Sequence, residues 1–420
     1  MRMKTKGVRL HHANDLRLEE FDLPEITDDE LLVKIVADSL CMSSYKAASQ
    51  GTAHKRVPND ISENPIVIGH EFCGEILQVG KNIRDQYQPG QKFTLQPAMQ
   101  GTYDAAGYSF KYLGGNMQLG IIPKCYIDQG CVLLYKGEGF YQGALAEPLS
   151  CVIGATHANY HTRQGVYVHD MGVREGGNLA ILGGCGPMGL ALVDYMIHRD
   201  GPKPSLLVVT DIKQENIDTA EKSLSAEVAK KEGVKLIYLN ASESTYTDEM
   251  MALTAGKGYD DVFVFIPVAS VVEQADSLLA YDGCLNFFAG PSDTNFAAKF
   301  NFYDVHYNAT HIVGTSGGNT SDMEEALELS AAGRLNPSLL LSHIGGLDAV
   351  AQATVELPNL PGFKKLIYNQ LSMPLTAIAD FEEKGKADSL FKELAKICKE
   401  HNGFWNVEAE KYLLENGPKI

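Results

Sequence analysis

Asn178-Leu179-Ala180-Ile181-Leu182-Gly183-Gly184-Cys185-Gly186-Pro187-Met188-Gly189 is the stretch on which the fold turns. A short apolar run of strand length meets a glycine cluster, and a helical pattern follows from Met188 to Arg199. Gly184 to Gly189 reads G-x-G-x-x-G, and Asp211, 22 residues beyond Gly189, ends the next apolar run, Leu206 to Thr210. Between a strand and a helix each glycine has a physical reason. The first makes a tight turn, the second lets backbone approach a pyrophosphate, and the third lets the helix pack on the strand. The helix N-terminus offers unpaired N–H groups and a favourable dipole to the anion. Gly184, Cys185, Gly186, Pro187, Met188 and Gly189 are therefore candidate cofactor-binding residues, with Asp211 accepting hydrogen bonds from an adenosine ribose. The competing reading is a glycine-rich turn in a similar domain that binds something else. Strand, helix and acid together favour a dinucleotide. An acid at that position repels a 2′-phosphate, which favours NAD(H) over NADP(H), although Lys213 is close enough to temper the preference.

Working outward, a polar helix is expected from about Gln214 to Lys231, with strands at about 235–239, 261–266 and 284–289. His311-Ile312-Val313-Gly314 and a helix from Ser321 to Ala332 read as the last unit. This alternation predicts an α/β, doubly wound parallel sheet of the Rossmann type over residues 161–334. Upstream, residues 1–160 show short strands between Gly and Pro turns: Leu31–Val36, Phe72–Val79, Lys92–Leu95 after Pro89-Gly90, and Met117–Ile122. These predict a β-rich, partly closed barrel. Phe363–Tyr368 reads as a return to that first domain, to which residues 335–420 are assigned, with an amphipathic helix near Asp388–Glu400. Residues 51–64 and 99–113 look like insertions.

The 420 residues, 45% hydrophobic and 21% charged, describe a globular chain with room for two cores. A net charge of −17 argues against a duplex nucleic-acid partner. No apolar run approaches membrane-spanning length, and the start, MRMKTKGVRLHH, carries no signal-peptide core. Eight cysteines are scattered without disulfide spacing, which fits a reducing, cytoplasmic setting.

Within the first domain, Gly69-His70-Glu71 follows the apolar run Ile66-Val67-Ile68. Consecutive residues of a regular strand point to opposite faces. Beside a glycine that can bend the backbone, both side chains could turn toward one metal, and imidazole and carboxylate both suit zinc. By itself such a pair reads equally as a solvated turn. Cys41 lies in a turn after a strand, and taken alone is a small buried residue. Glu147, in Ala146-Glu147-Pro148, reads alone as a helix-start acid.

Several patterns together carry a resemblance. Cys41-x-Ser43, Gly-His-Glu-x-x-Gly-x-x-x-x-Val-Gly at 69–80, Pro89-Gly90-Gln91-Lys92-Phe93, Gly114-Gly115, Ala146-Glu147-Pro148-Leu149 and the glycine loop occur in one order over most of the chain. In this the sequence resembles the zinc-dependent medium-chain dehydrogenases, and within them the polyol and polyol-phosphate branch. The run Cys41-Met42-Ser43-Ser44-Tyr45-Lys46 and the long tail are similar to those of bacterial L-sorbose-1-phosphate reductases. The resemblance implies a GroES-like catalytic domain holding one zinc on Cys41, His70, Glu71 and Glu147, with either carboxylate as the steady ligand. It further implies hydride transfer between a nicotinamide and a ketone oxygen-bearing carbon, with Ser43 exchanging the proton. The chain departs from the family in two places. Residues 91–124 contain no cysteine, so a second, structural zinc is not expected. Ser44 and Lys46 stand where many members have an acid and a histidine, which leaves Lys46 to pass a proton or bind an anion. His54-Lys55-Arg56, Lys46 and Lys111 are candidates for a substrate phosphate.

The implied activity is NAD(P)H-dependent reduction of a ketose phosphate to a hexitol phosphate by a homo-oligomer, dimer or tetramer. The rivals are a dehydrogenase of an unphosphorylated polyol such as sorbitol, a zinc-free enone or quinone reductase, and a non-catalytic NAD(H)-binding sensor.

Overall fold

The computed structural model describes residues 3–420. The chain divides into two compact units: one holds the residues up to Glu147 with Met323–Ala331 and Leu340–Ile420, the other Pro148–Asp322 with Ala332–Leu339.

In the second unit, six described strands form a parallel sheet in the spatial order Lys235–Asn240, Leu206–Asp211, Asn178–Leu182, Tyr259–Val264, Leu279–Phe287, His311–Val313. The chain starts in the middle, winds outward one way, then returns and winds out the other. That is the doubly wound order, with its switch point between Asn178–Leu182 and Tyr259–Val264. The central runs Leu179–Leu182 and Leu206–Val209 are buried, as strands covered on both faces must be. The expected helix over 214–231 is two helices, Gln214–Ser223 and Ala226–Lys231. Ser225 breaks it, because its side chain accepts the Val228 N–H and so caps a new helix. Two strands also begin earlier than their apolar runs. Asp261 is buried inside one, accepting from Asn159 Nδ2 at 2.7 Å and the Arg174 N–H at 2.9 Å.

The first unit is an eight-stranded sheet, counting described strands, plus a smaller one of three. Its central strand, Leu31–Leu40, is buried along almost its whole length. It pairs antiparallel with Phe72–Val79 on one side and with Lys364–Tyr368 on the other, while Leu119–Ile122 also joins it. The Phe363–Tyr368 segment thus does return to this unit. After Leu40 the chain enters a helix, Met42–Gln50, where the sequence reading had a turn.

The tail packs on the first unit through helices Ser389–Glu400 and Val407–Asn416. Trp405 is 1% exposed, and its indole N–H donates to the Tyr368 hydroxyl at 2.8 Å. That hydroxyl donates to Glu410 at 2.7 Å. The Glu410 carboxylate also accepts the N–H groups of Phe140, at 2.6 Å, and Tyr141, at 2.8 Å. These begin the short helix Phe140–Ala144, whose first N–H groups have no partner within the helix. The tail therefore pins the segment that leads to Glu147.

Burial raises the Glu410 carboxyl from an ordinary 4.5 to about 6, against the lowering by Tyr368 and the two N–H groups. A raised folded value means that the native state holds the proton more tightly than the unfolded chain. The stability Glu410 contributes is then greatest below about pH 4.5 and declines as pH rises through about 6, by about 2 kcal/mol. Glu410→Gln is expected to flatten the dependence of stability on pH across that window. Glu410→Ala is expected to cost about 1–3 kcal/mol by leaving the helix N–H groups without an acceptor. Urea unfolding from pH 4.5 to 7 measures both.

Candidate active site

Strand register brings the candidate ligands together. Asp38 pairs with Phe72, so His70 and Glu71, just before Phe72, fall beside the end of the central strand and Cys41. On the other side Lys365 pairs with Leu40, so Lys364 also lies beside Cys41. Three strand ends therefore meet at one place. Gly69 makes the approach possible with φ +92°, and a Cβ there would meet Asn116 Nδ2 at 2.2 Å and Asp38 Oδ2 at 2.8 Å. The Glu71 N–H donates to Asp38 Oδ1 at 3.2 Å, and the Ser39 N–H donates to the Glu71 carbonyl at 3.0 Å.

One ligand atom each from Cys41, His70 and Glu71 lies within 4.8 Å of the others, the one such grouping among the described residues. Thiol, imidazole and carboxylate form a donor set that suits zinc. Burial pushes the Cys41 thiol up to about 12, with Glu71 adding to the rise against Lys364. Burial pulls the His70 imidazole down to about 4. A neutral imidazole is already the ligating form, and a cation at this point would favour the thiolate. The Ser43 backbone N–H also donates toward Cys41. Ser44, where an acid is common in the family resembled, contacts His70 Nδ1 through its hydroxyl at 3.1 Å.

Glu71 has further partners. Lys364 Nζ donates to both carboxylate oxygens at 2.6 Å, and the Ser39 hydroxyl donates to one of them. Burial opposes the Glu71 charge, but Lys364, His70 and Ser39 together outweigh it, so the carboxyl is held below its ordinary range. Glu71 in turn, with Cys41 and Glu147, overcomes the burial of Lys364 and raises it. Lys364 and Ser39 were absent from the sequence reading. Their one signal was the expected return of Phe363–Tyr368, which named the strand and not its register.

Glu147, in the first turn of helix Ala146–Ala158, stands outside the 4.8 Å cluster. It is close enough for its charge to act on Cys41, Tyr108 and Lys364. Ser43 is exposed in the first turn of helix Met42–Gln50, with its hydroxyl in hydrogen-bonding reach of Tyr108. Tyr108, also missed, is buried, with its hydroxyl 3.3 Å from His70 Nε2. Lys46 lies half-buried on the same helix as Ser43. His54 and Arg56 flank the Tyr108 ring. Lys111 does not join them; it lies over Tyr112, on a surface shared with Arg9 and Glu19.

In the second unit, Gly186 and Pro187 open helix Pro187–His198, and the Gly184 N–H donates to the Thr210 carbonyl at 2.8 Å. A Cβ on Gly189 would meet the Gly184 carbonyl oxygen at 2.2 Å, whereas one on Gly186 would meet nothing within 4 Å. The third glycine therefore permits helix–strand packing, and the second faces open space that a pyrophosphate could take. Cys185 is buried and Met188 half-buried. Asp211 ends its strand, and its Oδ1 accepts the Lys213 N–H at 2.9 Å and Asn216 Nδ2 at 3.2 Å. No described helix is long and apolar enough to cross a membrane.

Comparison with known proteins agrees with these features. Residues 27–147 match the alcohol dehydrogenase GroES-like domain, and residues 207–332 match the zinc-binding dehydrogenase domain. The chain is 51% identical over 407 residues to the mannitol-1-phosphate 5-dehydrogenase of Aliivibrio fischeri, covering 96% of this chain and 95% of that one. It is 46% identical over 419 residues to the L-sorbose 1-phosphate reductase of Klebsiella pneumoniae, covering 99% and 98%. The solved structure of 2R,3R-butanediol dehydrogenase from Bacillus subtilis superposes with a TM-score of 0.69 at 20% identity, covering 87% of this chain and 99% of that one. That last likeness speaks for the fold alone. With near-complete coverage by relatives at such identity, the chain belongs to the zinc-binding medium-chain dehydrogenase family and is an oxidoreductase.

Proposed function

We propose that this enzyme interconverts a ketose phosphate of the L-sorbose 1-phosphate kind and a hexitol phosphate such as D-glucitol 6-phosphate, using NAD(H). The convergence of Cys41, His70 and Glu71 within 4.8 Å carries the reading of a catalytic metal centre. The phosphorylated substrate is supported by two near-full-length relatives, each named for a sugar or hexitol phosphate. We assign one catalytic zinc, a small-molecule substrate with no nucleic-acid or membrane partner, and a cytoplasmic homo-oligomer, dimer or tetramer. The eight free cysteines accord with that compartment.

When bound, zinc supplies Lewis-acid polarisation of a carbonyl oxygen and the nicotinamide supplies a hydride. Cys41, His70 and a carboxylate would hold the metal. With the Ser44 hydroxyl accepting from Nδ1–H, His70 keeps the Nε2 lone pair for it. Lys364 and Ser39 keep Glu71 ionised while competing for its oxygens, which leaves Glu147 as the alternative ligand. In the reducing direction the ketone carbon gains the hydride and its oxygen gains a proton, giving a secondary alcohol. Ser43 would pass that proton, a role supported by its hydrogen bond to the Tyr108 hydroxyl, with Lys46 on the same helix as a second donor. The loop Gly184-Cys185-Gly186-Pro187-Met188-Gly189 offers backbone N–H groups to the cofactor pyrophosphate, and Asp211 accepts from its ribose.

Metal analysis of the purified enzyme is expected to return zinc. A screen with NADH is expected to show turnover of ketose phosphates above that of the same ketoses without phosphate. Preference for a free polyol such as sorbitol would replace this reading. Cys41→Ser and His70→Ala are each expected to lose zinc and turnover together; full turnover without metal in either variant contradicts the site. Asp211→Ala is expected to weaken NADH binding by roughly 10-fold or more while affecting NADPH less. An unchanged cofactor preference, read by fluorescence titration, removes Asp211 from the ribose.

A further inference from the structure

Tyr108 links the metal cluster to a group of cations. Its hydroxyl lies 3.3 Å from His70 Nε2, and its ring centroid is 4.9 Å from that of His70. On the same ring, His54 stacks at 5.7 Å and 10°, and the Arg56 guanidinium carbon lies 5.4 Å from the centroid. One aromatic ring therefore lies between a candidate metal ligand and a guanidinium.

This arrangement is held from both sides. The Ser109 hydroxyl donates to the Arg56 carbonyl at 2.7 Å and accepts the Ala105 N–H at 3.1 Å. The Val57 N–H donates to the His54 carbonyl at 2.9 Å, and Val57 and Ile61 are buried. The segments 51–64 and 99–113, which read as insertions in the sequence, are thus tied together here. The Arg56 N–H donates to His54 Nδ1 at 3.3 Å, which leaves Nε2–H of the neutral ring as a donor. Burial, followed by Arg56, Lys55 and Lys46, holds His54 below its ordinary value and so neutral.

Lys46, Lys55 and Arg56 all act on His54, yet among the described residues none of the three pairs with a carboxylate. In a chain of net charge −17 this is a local concentration of cations, a patch that attracts an anionic ligand. Lys55 is exposed, with Nζ 5.8 Å from the centroid of the exposed Tyr103 ring, so it lies at the margin. A guanidinium fork beside an imidazole N–H and an ammonium matches the oxygens of a phosphate monoester.

We propose that Arg56, with His54 and Lys46, forms the subsite that binds the substrate's phosphate and sets the preference for phosphorylated ketoses. This rests on the proposed sugar-phosphate activity, and the test separates the two. The kcat/KM values for L-sorbose 1-phosphate and for L-sorbose are measured on the full-length, zinc-loaded enzyme, together with competitive inhibition by inorganic phosphate. Arg56→Ala is expected to lower the ratio of the two kcat/KM values on the order of 10- to 100-fold and to weaken phosphate inhibition similarly. Arg56→Lys is expected to restore part of both, and Lys111→Ala to change neither. Equal losses on both ketoses, or phosphate inhibition as strong in Arg56→Ala as in the parent, overturn the subsite. If the parent prefers the phosphate ester and Arg56→Ala keeps that preference, the subsite alone fails. If the parent shows no such preference, the proposed substrate class and the subsite fail together.

Discussion

Glu71 and Lys364 place opposite charges in a site from which water is almost excluded, with side chains 1% and 11% exposed. Either charge alone would be strongly penalised there, and breaking such a pair costs several kcal/mol because the remaining ion is left uncompensated. The pair can therefore persist only if both strands that carry it are held in register on the Leu31–Leu40 strand. The same register delivers Cys41 and His70. The electrostatics of the candidate site and the pairing of the sheet are one constraint: the ion pair needs the register, and the register brings the candidate ligands together. With Lys364 on both oxygens, Glu71 is a carboxylate paired with a cation of the protein and grouped with the candidate ligands Cys41 and His70.

The later part of the chain supports the earlier part in two ways. Lys364–Tyr368 completes the sheet beside Cys41, and Tyr368 joins Trp405 and Glu410 in a buried hydrogen-bond network. Glu410 then holds the start of the Phe140–Ala144 helix, just ahead of Glu147. The tail is thus a structural part of the unit that carries the candidate ligands, a role its amphipathic pattern did not disclose. On another side of the site, the two apparent insertions meet through Ser109 and Arg56 and place Tyr108 against His70. The ring therefore touches a candidate metal ligand on one side and the His54 and Arg56 side chains elsewhere.

The sequence by itself determined what depends on local geometry. The glycine loop with its flanking strand and helix was legible because backbone clash and helix packing act within a dozen residues. The six parallel strands followed from apolar runs of the right length. Gly69-His70-Glu71 was legible as a possible ligand pair because only a bend such as the φ of +92° at Gly69 lets neighbouring side chains serve one centre. Where the reading missed, the signal was masked locally: Ser225 ended a helix that periodicity alone would continue. What only the tertiary structure decided was which distant side chains meet. Lys364 reaches Glu71 across 293 residues, and Tyr108 reaches His70 across 38. Neither carries a mark in its own neighbourhood, because a lysine or tyrosine acquires its role from the register of paired strands and the junction of two loops. Those pairings are set by the free energy of the whole sheet and core, which no short window of sequence contains.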